Sequence, residues 1–286
     1  MTIQPTRRRA AFTLVEMLVV IAIIGVLVAL LLPAVVGAIN AARRARNALE
    51  VSQLANAVEA YKNKFGDYPP TFRSHDVFIR HVRKCYPRID STPSTGHLAL
   101  VEQAIWGTNN FTSGTTPTPN IEEGEALVFW LALVDNDTRQ PFKALLGTQP
   151  VSAVNLYDFD QRRLFDGTDT DLVPYYRAPY ADETGYILID NRAYSLHDQA
   201  AETKAQVEGT DTTAQNQVRP YAASSSSFIN PTTFQIICAG QDGNFGEDPS
   251  PLGPKVYPSG LNYQEADNDN QTNFSEGRRL GDAIPQ

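Results

Sequence analysis

The chain has 286 residues, 42% of them hydrophobic and 20% charged, which is ordinary for one or two globular domains. Net charge is -8, and three of the cations (Arg7, Arg8, Arg9) precede a long apolar run, so the body is more acidic still. That balance excludes a basic nucleic-acid-binding face, and a negative mean hydropathy shows that the apolar run is a single local feature.

That run comes first in chain order. In "RRRAAFTLVEMLVVIAIIGVLVALLLPAVVG" no residue from Met17 to Ile39 carries a charge. At about 1.5 Å per residue this transmembrane half, 17-39, is long enough to cross a hydrocarbon core of about 30 Å. A secretory signal peptide shares the basic start, and Val36-Gly37-Ala38 resembles its cleavage site, but its apolar core is shorter, about 7–15 residues. A plain anchor explains the length and leaves Glu16, an acid at the lip of the run, without a reason.

No proline interrupts "NAARRARNALEVSQLANAVEAYKNKFGD". Leu54, Val58, Tyr61 and Phe65 recur at helical spacing, and Gly66, Pro69 and Pro70 supply the stop. The pattern predicts one helix over 12-65, roughly 80 Å long, apolar all round in its first half and amphipathic in its second.

Ala11-Phe12-Thr13-Leu14-Val15-Glu16 resembles the prepilin cleavage and methylation motif of type IV pilins and type II secretion pseudopilins. The resemblance covers Arg7 to about Pro70 and departs at Ala11, where the family usually has Gly. It implies a leader, 1-11, cut before Phe12 by a prepilin peptidase that then methylates the new N-terminus. It implies that Glu16 pairs with the Phe12 amine of a neighbouring subunit, so that an intramembrane acid has its partner, and that Pro33 kinks the helix. The arginines flank the span on both sides, Arg7–Arg9 before it and Arg43, Arg44 and Arg46 after, so charge alone leaves orientation open. The resemblance places the leader in the cytoplasm and the body outside, in a single-pass inner-membrane protein that assembles into a periplasmic or surface filament. Its implied partners are the peptidase, other pilin-like subunits, the inner-membrane assembly platform and membrane lipid.

The body, 66-286, reads as α+β. "HDVFIRHVRK", "HLALVEQAIW" and "NIEEGEALVFWLALVDN" are predicted helices, with Glu122, Glu123 and Glu125 favouring the start of the third. "NLYDFD", "GYILID" and "FQIICAG" are predicted strands. "NNFTSGTTPTPN", "AETKAQVEGTDTTAQNQ" and "ASSSSF" are surface loops. The expected architecture is a long N-terminal transmembrane helix packed on a small antiparallel sheet, a pilin-like head with helical and loop insertions.

No hydrolase, zinc-protease, P-loop or dinucleotide motif is present. His81 and Cys85 share a helix face near His75, but a solvated face explains them better than a metal that lacks further ligands; His97 and His197 stand alone. The acids Asp158, Asp160, Asp166, Asp169 and Asp171 read as a solvated loop. Cys85 and Cys238 have no metal-ligand spacing; a disulfide and two separate buried thiols stand as equal alternatives. Near the end, "ICAGQDGNFGED" and "EADNDNQTNFSEG" bring Asp242, Asp267 and Asp269 onto Gly- and Asn-rich loops, the oxygen-rich setting calcium uses. The stretch resembles the final calcium-holding loop of major pseudopilins, with "PSPLGPKVYPSGLNYQEA" inserted; two plain turns without an ion are the alternative. Two functions follow: a non-catalytic structural subunit of a type II secretion pseudopilus or type IV pilus-like filament, or an envelope-anchored minor pilin-like binding or adhesion protein.

Overall fold

The computed structural model describes residues 14–108, 119–147, 153–165, 173–180, 184–197, 205–206, 217–246 and 253–285. Two compact units divide the chain between Arg43 and Arg44. Helix α1, Leu14–Phe65, runs through that division for 52 residues, with Pro33 inside it. It ends where the sequence predicts: Gly66 takes a φ of +80° and its N–H bonds to the Lys62 carbonyl at 2.7 Å, an αL stop that a Cβ would disfavour.

In the second unit one face of α1 is buried. Val51, Leu54, Val58 and Tyr61 are each at most 2% exposed, and Leu49, turned away from them, is 59% exposed. Helix α2 (His75–Cys85), helix α3 (His97–Trp106) and the short α4 (Ala126–Val128) contribute buried residues to the same core. Tyr61 meets Trp130 edge-on at 5.7 Å, and Trp130 stacks on Phe72 at 5.9 Å. The Trp130 indole donates to the Pro70 carbonyl at 2.7 Å, which satisfies the one polar atom of the largest core side chain. The third predicted helix is shorter than expected: α4 starts at Ala126 and continues as a π-helical turn, Phe129–Leu133. The segment before it turns back instead, with the Glu125 carboxylate accepting from the Glu122 N–H at 2.6 Å.

The main sheet is antiparallel, with β8 (Phe234–Cys238) between β3 (Tyr186–Asp190) and β9 (Gln271–Thr272). Tyr186 faces Cys238 and Ile237 faces Thr272 across its ladders. All of β3 and β8 is buried, because both faces of the sheet are covered. Tyr186, Leu188, Phe234 and Ile236 join the core that includes α1, whereas Ile187, Ile189 and Ile237 join a second core with Tyr221, Phe245 and Leu280. That explains why these strands read as uninterrupted apolar runs rather than as an alternation. The other described pairs are short ribbons: β1 (Leu164–Phe165) with β2 (Tyr175–Tyr176), β4 (Ala205–Gln206) with β5 (Gln217–Val218), and β6 (Ala222–Ser224) with β7 (Ser227–Phe228).

The α+β expectation holds, with corrections. "NLYDFD" is not a strand; the Leu156 N–H bonds to the Leu131 carbonyl at 2.9 Å, and Tyr157 and Phe159 turn their rings against Tyr176. Of the two alternatives for the cysteines, the structure has free thiols. Cys238 is fully buried on β8, and Cys85 donates to the Phe65 carbonyl at 3.6 Å.

The buried face of α1 sets a first expectation. Leu54→Ala should cost about 2–5 kcal/mol of head stability, and Leu49→Ala should stay within about 0.5 kcal/mol of the wild type. Thermal or denaturant unfolding checks both; equal effects would mean that the face assignment is wrong.

Candidate functional site

The first unit offers one surface. Every residue from Leu14 to Ile39 is exposed, Leu30 at 71% and Leu32 at 61% among them. So much unpartnered apolar surface needs lipid or other apolar helices to cover it. Glu16 lies in the first turn of α1, at the edge of this surface. Ala11 and Phe12 lie outside the described residues.

In the second unit, Glu50 ties α1 to the head. It sits one turn before Leu54 on the buried face and is 8% exposed. Arg163 approaches with both ends of its guanidinium, 2.7 Å to each carboxylate oxygen. The hydroxyls of Tyr186 on β3 and Tyr176 on β2 donate to the same carboxylate, and that of Tyr157 reaches it at 3.4 Å. Burial alone would raise the Glu50 pKa; the Arg163 fork, with Tyr186 and Tyr176, outweighs it and holds the carboxyl below its ordinary value of 4.5. Arg163 is itself oriented by the Arg177 carbonyl, which accepts from its Nε at 2.9 Å, and its guanidinium lies 4.2 Å from the Tyr176 ring centroid. Sequence reasoning passed over both residues. Arg163 was hidden in the acidic "DFDQRRLFDG" stretch. The available signal was Glu50 itself, an acid on the same helical stripe as Leu54, Val58 and Tyr61.

The histidine and cysteine that share a face of α2 do not lie on a solvated face as the sequence predicts: His81 is 1% exposed and Cys85 is half-buried. His81 Nε2 meets the Tyr61 hydroxyl at 2.9 Å and its Nδ1 meets Asp67 at 3.4 Å, so both ring nitrogens are committed. Burial lowers the His81 pKa against the pull of Asp67, and burial pushes the Cys85 thiol up to about 12. A thiol so protonated is a poor nucleophile. Asp67 also pairs with Arg192, whose Nε binds Asp190 at 2.6 Å, so the cluster locks the turn after α1 onto the end of β3. His97 is a buried acceptor: the Phe142 N–H donates to its Nε2 at 3.0 Å, and burial lowers its pKa to about 4. Asp160 caps its own 3₁₀ turn and pairs with Arg162; Asp166, Asp169 and Asp171 lie outside the described residues.

At the C-terminal end the three predicted ligands are near one another, but each has separate partners. Asp269 accepts from the backbone N–H groups of Gln241 and Asp242. The exposed Asp242 accepts from the Asn244 N–H at 2.9 Å. Asp267 is fully buried against Lys255, with Nζ to Oδ1 at 2.7 Å. Among the described residues no group of three or more His, Cys, Asp or Glu side chains could hold a metal ion. The Lys255 ammonium thus already occupies Asp267 Oδ1.

Residues 6–32 match the family model described as the prokaryotic N-terminal methylation motif. The chain is 31% identical over 101 residues to type II secretion system core protein G of Aeromonas hydrophila, covering 35% of this chain and 70% of that protein. The chain belongs to the pilin and pseudopilin family. Core protein G of Pectobacterium carotovorum subsp. carotovorum is 30% identical over 102 residues, 36% of this chain and 65% of the relative, and that of Klebsiella pneumoniae is 29% identical over 103 residues, 36% and 73%. No solved structure is a significant match. The same aligned stretch that is 70% of the Aeromonas protein is 35% of this chain, which is therefore about twice as long.

Two titrations in the head, those of His97 and Glu50, point in the same direction. The folded-state pKa of His97 is lowered from 6.5 to about 4, so below pH 6.5 the unfolded chain binds more protons and stability falls as pH falls towards 4. Glu50 is depressed below 4.5, so its contribution is full above that value and is lost as pH falls through the lower folded pKa. Melting temperature measured against pH should therefore fall in two stages on acidification. Glu50→Ala should cost about 3–5 kcal/mol near neutrality, because it strands Arg163, and Glu50→Gln should flatten the more acidic stage. An unchanged acid profile in Glu50→Gln would remove Glu50 from this account.

Proposed function

We propose that this chain is a non-catalytic structural subunit of a type II secretion pseudopilus, carried in the inner membrane by the first half of α1. The observation that carries the reading is the methylation motif at 6–32 joined, in one chain, to 31% identity over most of a type II secretion core protein. The exposed apolar surface from Leu14 to Ile39 supports it, since such a helix is stable in lipid and in a bundle of its own kind. The committed ring nitrogens of His81 and the raised Cys85 thiol support a protein without catalysis.

In this reading the leader stays in the cytoplasm and the body is exported. A prepilin peptidase cuts between Ala11 and Phe12 and methylates the new amine. Glu16 then meets the Phe12 amine of a neighbouring subunit, which sets the axial step as the assembly platform adds subunits. Inside hydrocarbon an acid costs about 2.5–3.5 kcal/mol on insertion scales, and an amine beside it offsets that cost. Pro33 withdraws one N–H from the helix ladder and gives α1 a point where it bends. A second reading keeps the leader and helix but makes the chain a minor binding or adhesion subunit; its length, about twice that of the Aeromonas relative, is what favours it.

Mass spectrometry of the membrane-extracted protein should give an N-terminus at methylated Phe12. A chain that still begins at Met1, or one cut near Ala38, would end this reading. Glu16→Ala should be inserted and cleaved normally and yield few or no filaments; wild-type filament yield would refute the pairing with the neighbour's amine.

A further inference from the structure

Lysine carries three N–H donors and no acceptor, so a buried ammonium needs oxygens on every side. Lys255 meets that need at the C-terminal end of the head. Its side chain is 4% exposed and that of Asp267 is fully buried. Its Nζ donates to Asp267 Oδ1 at 2.7 Å, to the Gly246 carbonyl at 2.9 Å and to the Phe245 carbonyl at 3.3 Å. Three donors face three acceptors. Two backbone carbonyls and a carboxylate are also the oxygen types that a hard cation selects.

Asp267 accepts from two further protein donors. The Tyr221 hydroxyl donates to Oδ1 at 2.7 Å and the Gln264 N–H to Oδ2 at 2.7 Å. The Asn270 amide bridges the Tyr221 hydroxyl at 3.0 Å and the Phe245 carbonyl at 3.2 Å. Gly246 lets the loop come this close: it has a φ of +70°, and a Cβ there would stand 2.7 Å from Asp267 Oδ2. The Lys255 carbonyl accepts from the Ala222 N–H at 2.8 Å, which fixes the base of the side chain on β6. One ammonium thus joins the loop after β8, the segment that pairs with β6, and the turn leading into β9.

We propose that the Lys255 ammonium is the resident cation of the C-terminal end of the head, and that this end closes without a divalent ion. A metal ion at the same oxygens would displace the ammonium and leave it buried without acceptors. Asp242 and Asp269 do not supply a second site, because both already accept from backbone N–H groups of the loop after β8.

The test uses the full-length protein in detergent micelles, melted in chelator and in millimolar calcium chloride. The two wild-type curves should coincide; a rise of several degrees with calcium would overturn the proposal. Lys255→Met keeps the length and removes the charge, and should lower the midpoint by roughly 6–20 °C, because it leaves a buried carboxylate unpaired. The double variant Lys255→Met with Asp267→Asn should melt above the single variant. A single variant that melts like the wild type would also overturn the proposal. If Lys255→Met does not fold, folding of the double variant supports the pairing; if neither folds, the calcium comparison on the wild type decides. None of these outcomes depends on whether the chain assembles into a pseudopilus.

Discussion

The carboxylate of Glu50 is the interaction on which the head depends. It stands near the start of the buried face of α1, between Asn47 and the apolar stretch from Val51 to Val58, and it gathers groups far apart in sequence: Arg163, Tyr176 on β2 and Tyr186 on β3. Apolar contacts hold α1 against the sheet but do not fix where along its length the sheet sits, because dispersion and burial are indifferent to a small slide. A bidentate Arg–carboxylate pair with added hydroxyl donors is directional. Removing a partner would leave a buried charge, so the arrangement tolerates little change of register.

The sheet beyond it works as a partition. Its β3 and β8 strands send alternate side chains into two cores, one built on α1 and the α2–α4 helices, the other on the segments after β5. The second core has its own polar centre in Lys255 and Asp267. Each side of the sheet therefore pairs an apolar cluster with a buried ion pair supported by tyrosines. The Asp67, Arg192 and Asp190 chain closes the edge, where the turn after α1 meets the end of β3.

Much of this was legible from residue spacing. The helix through Phe65, its stop at Gly66, α2, α3 and the two central strands follow from period and punctuation, which are local. What escaped were features decided by partners distant in sequence. "NLYDFD" alternates like a strand, but Tyr157 and Phe159 take their places from Tyr176 and the segment has no ladder to join. "NIEEGEALVFWLALVDN" looks like one helix, but its acids are buried and turn the chain at Glu122–Glu125 before α4 begins. Nor does any local pattern show that Lys255, inside the inserted stretch, folds back to Asp267. An apolar stripe that contains one acid, as at Glu50, is the pattern that pointed beyond itself.

The central claim is that the second half of α1 belongs to the most stable part of the head through Glu50 and the core around it. Amide hydrogen exchange on the full-length protein in micelles tests this most directly, because it reports opening free energies residue by residue. The account predicts that the amides around Glu50, Leu54, Val58 and Tyr61 exchange only with global unfolding, together with those of Tyr186–Asp190 and Phe234–Cys238. Exchange of this part of α1 well before the sheet would contradict it, since the helix would then be peeling away from a head that stands without it.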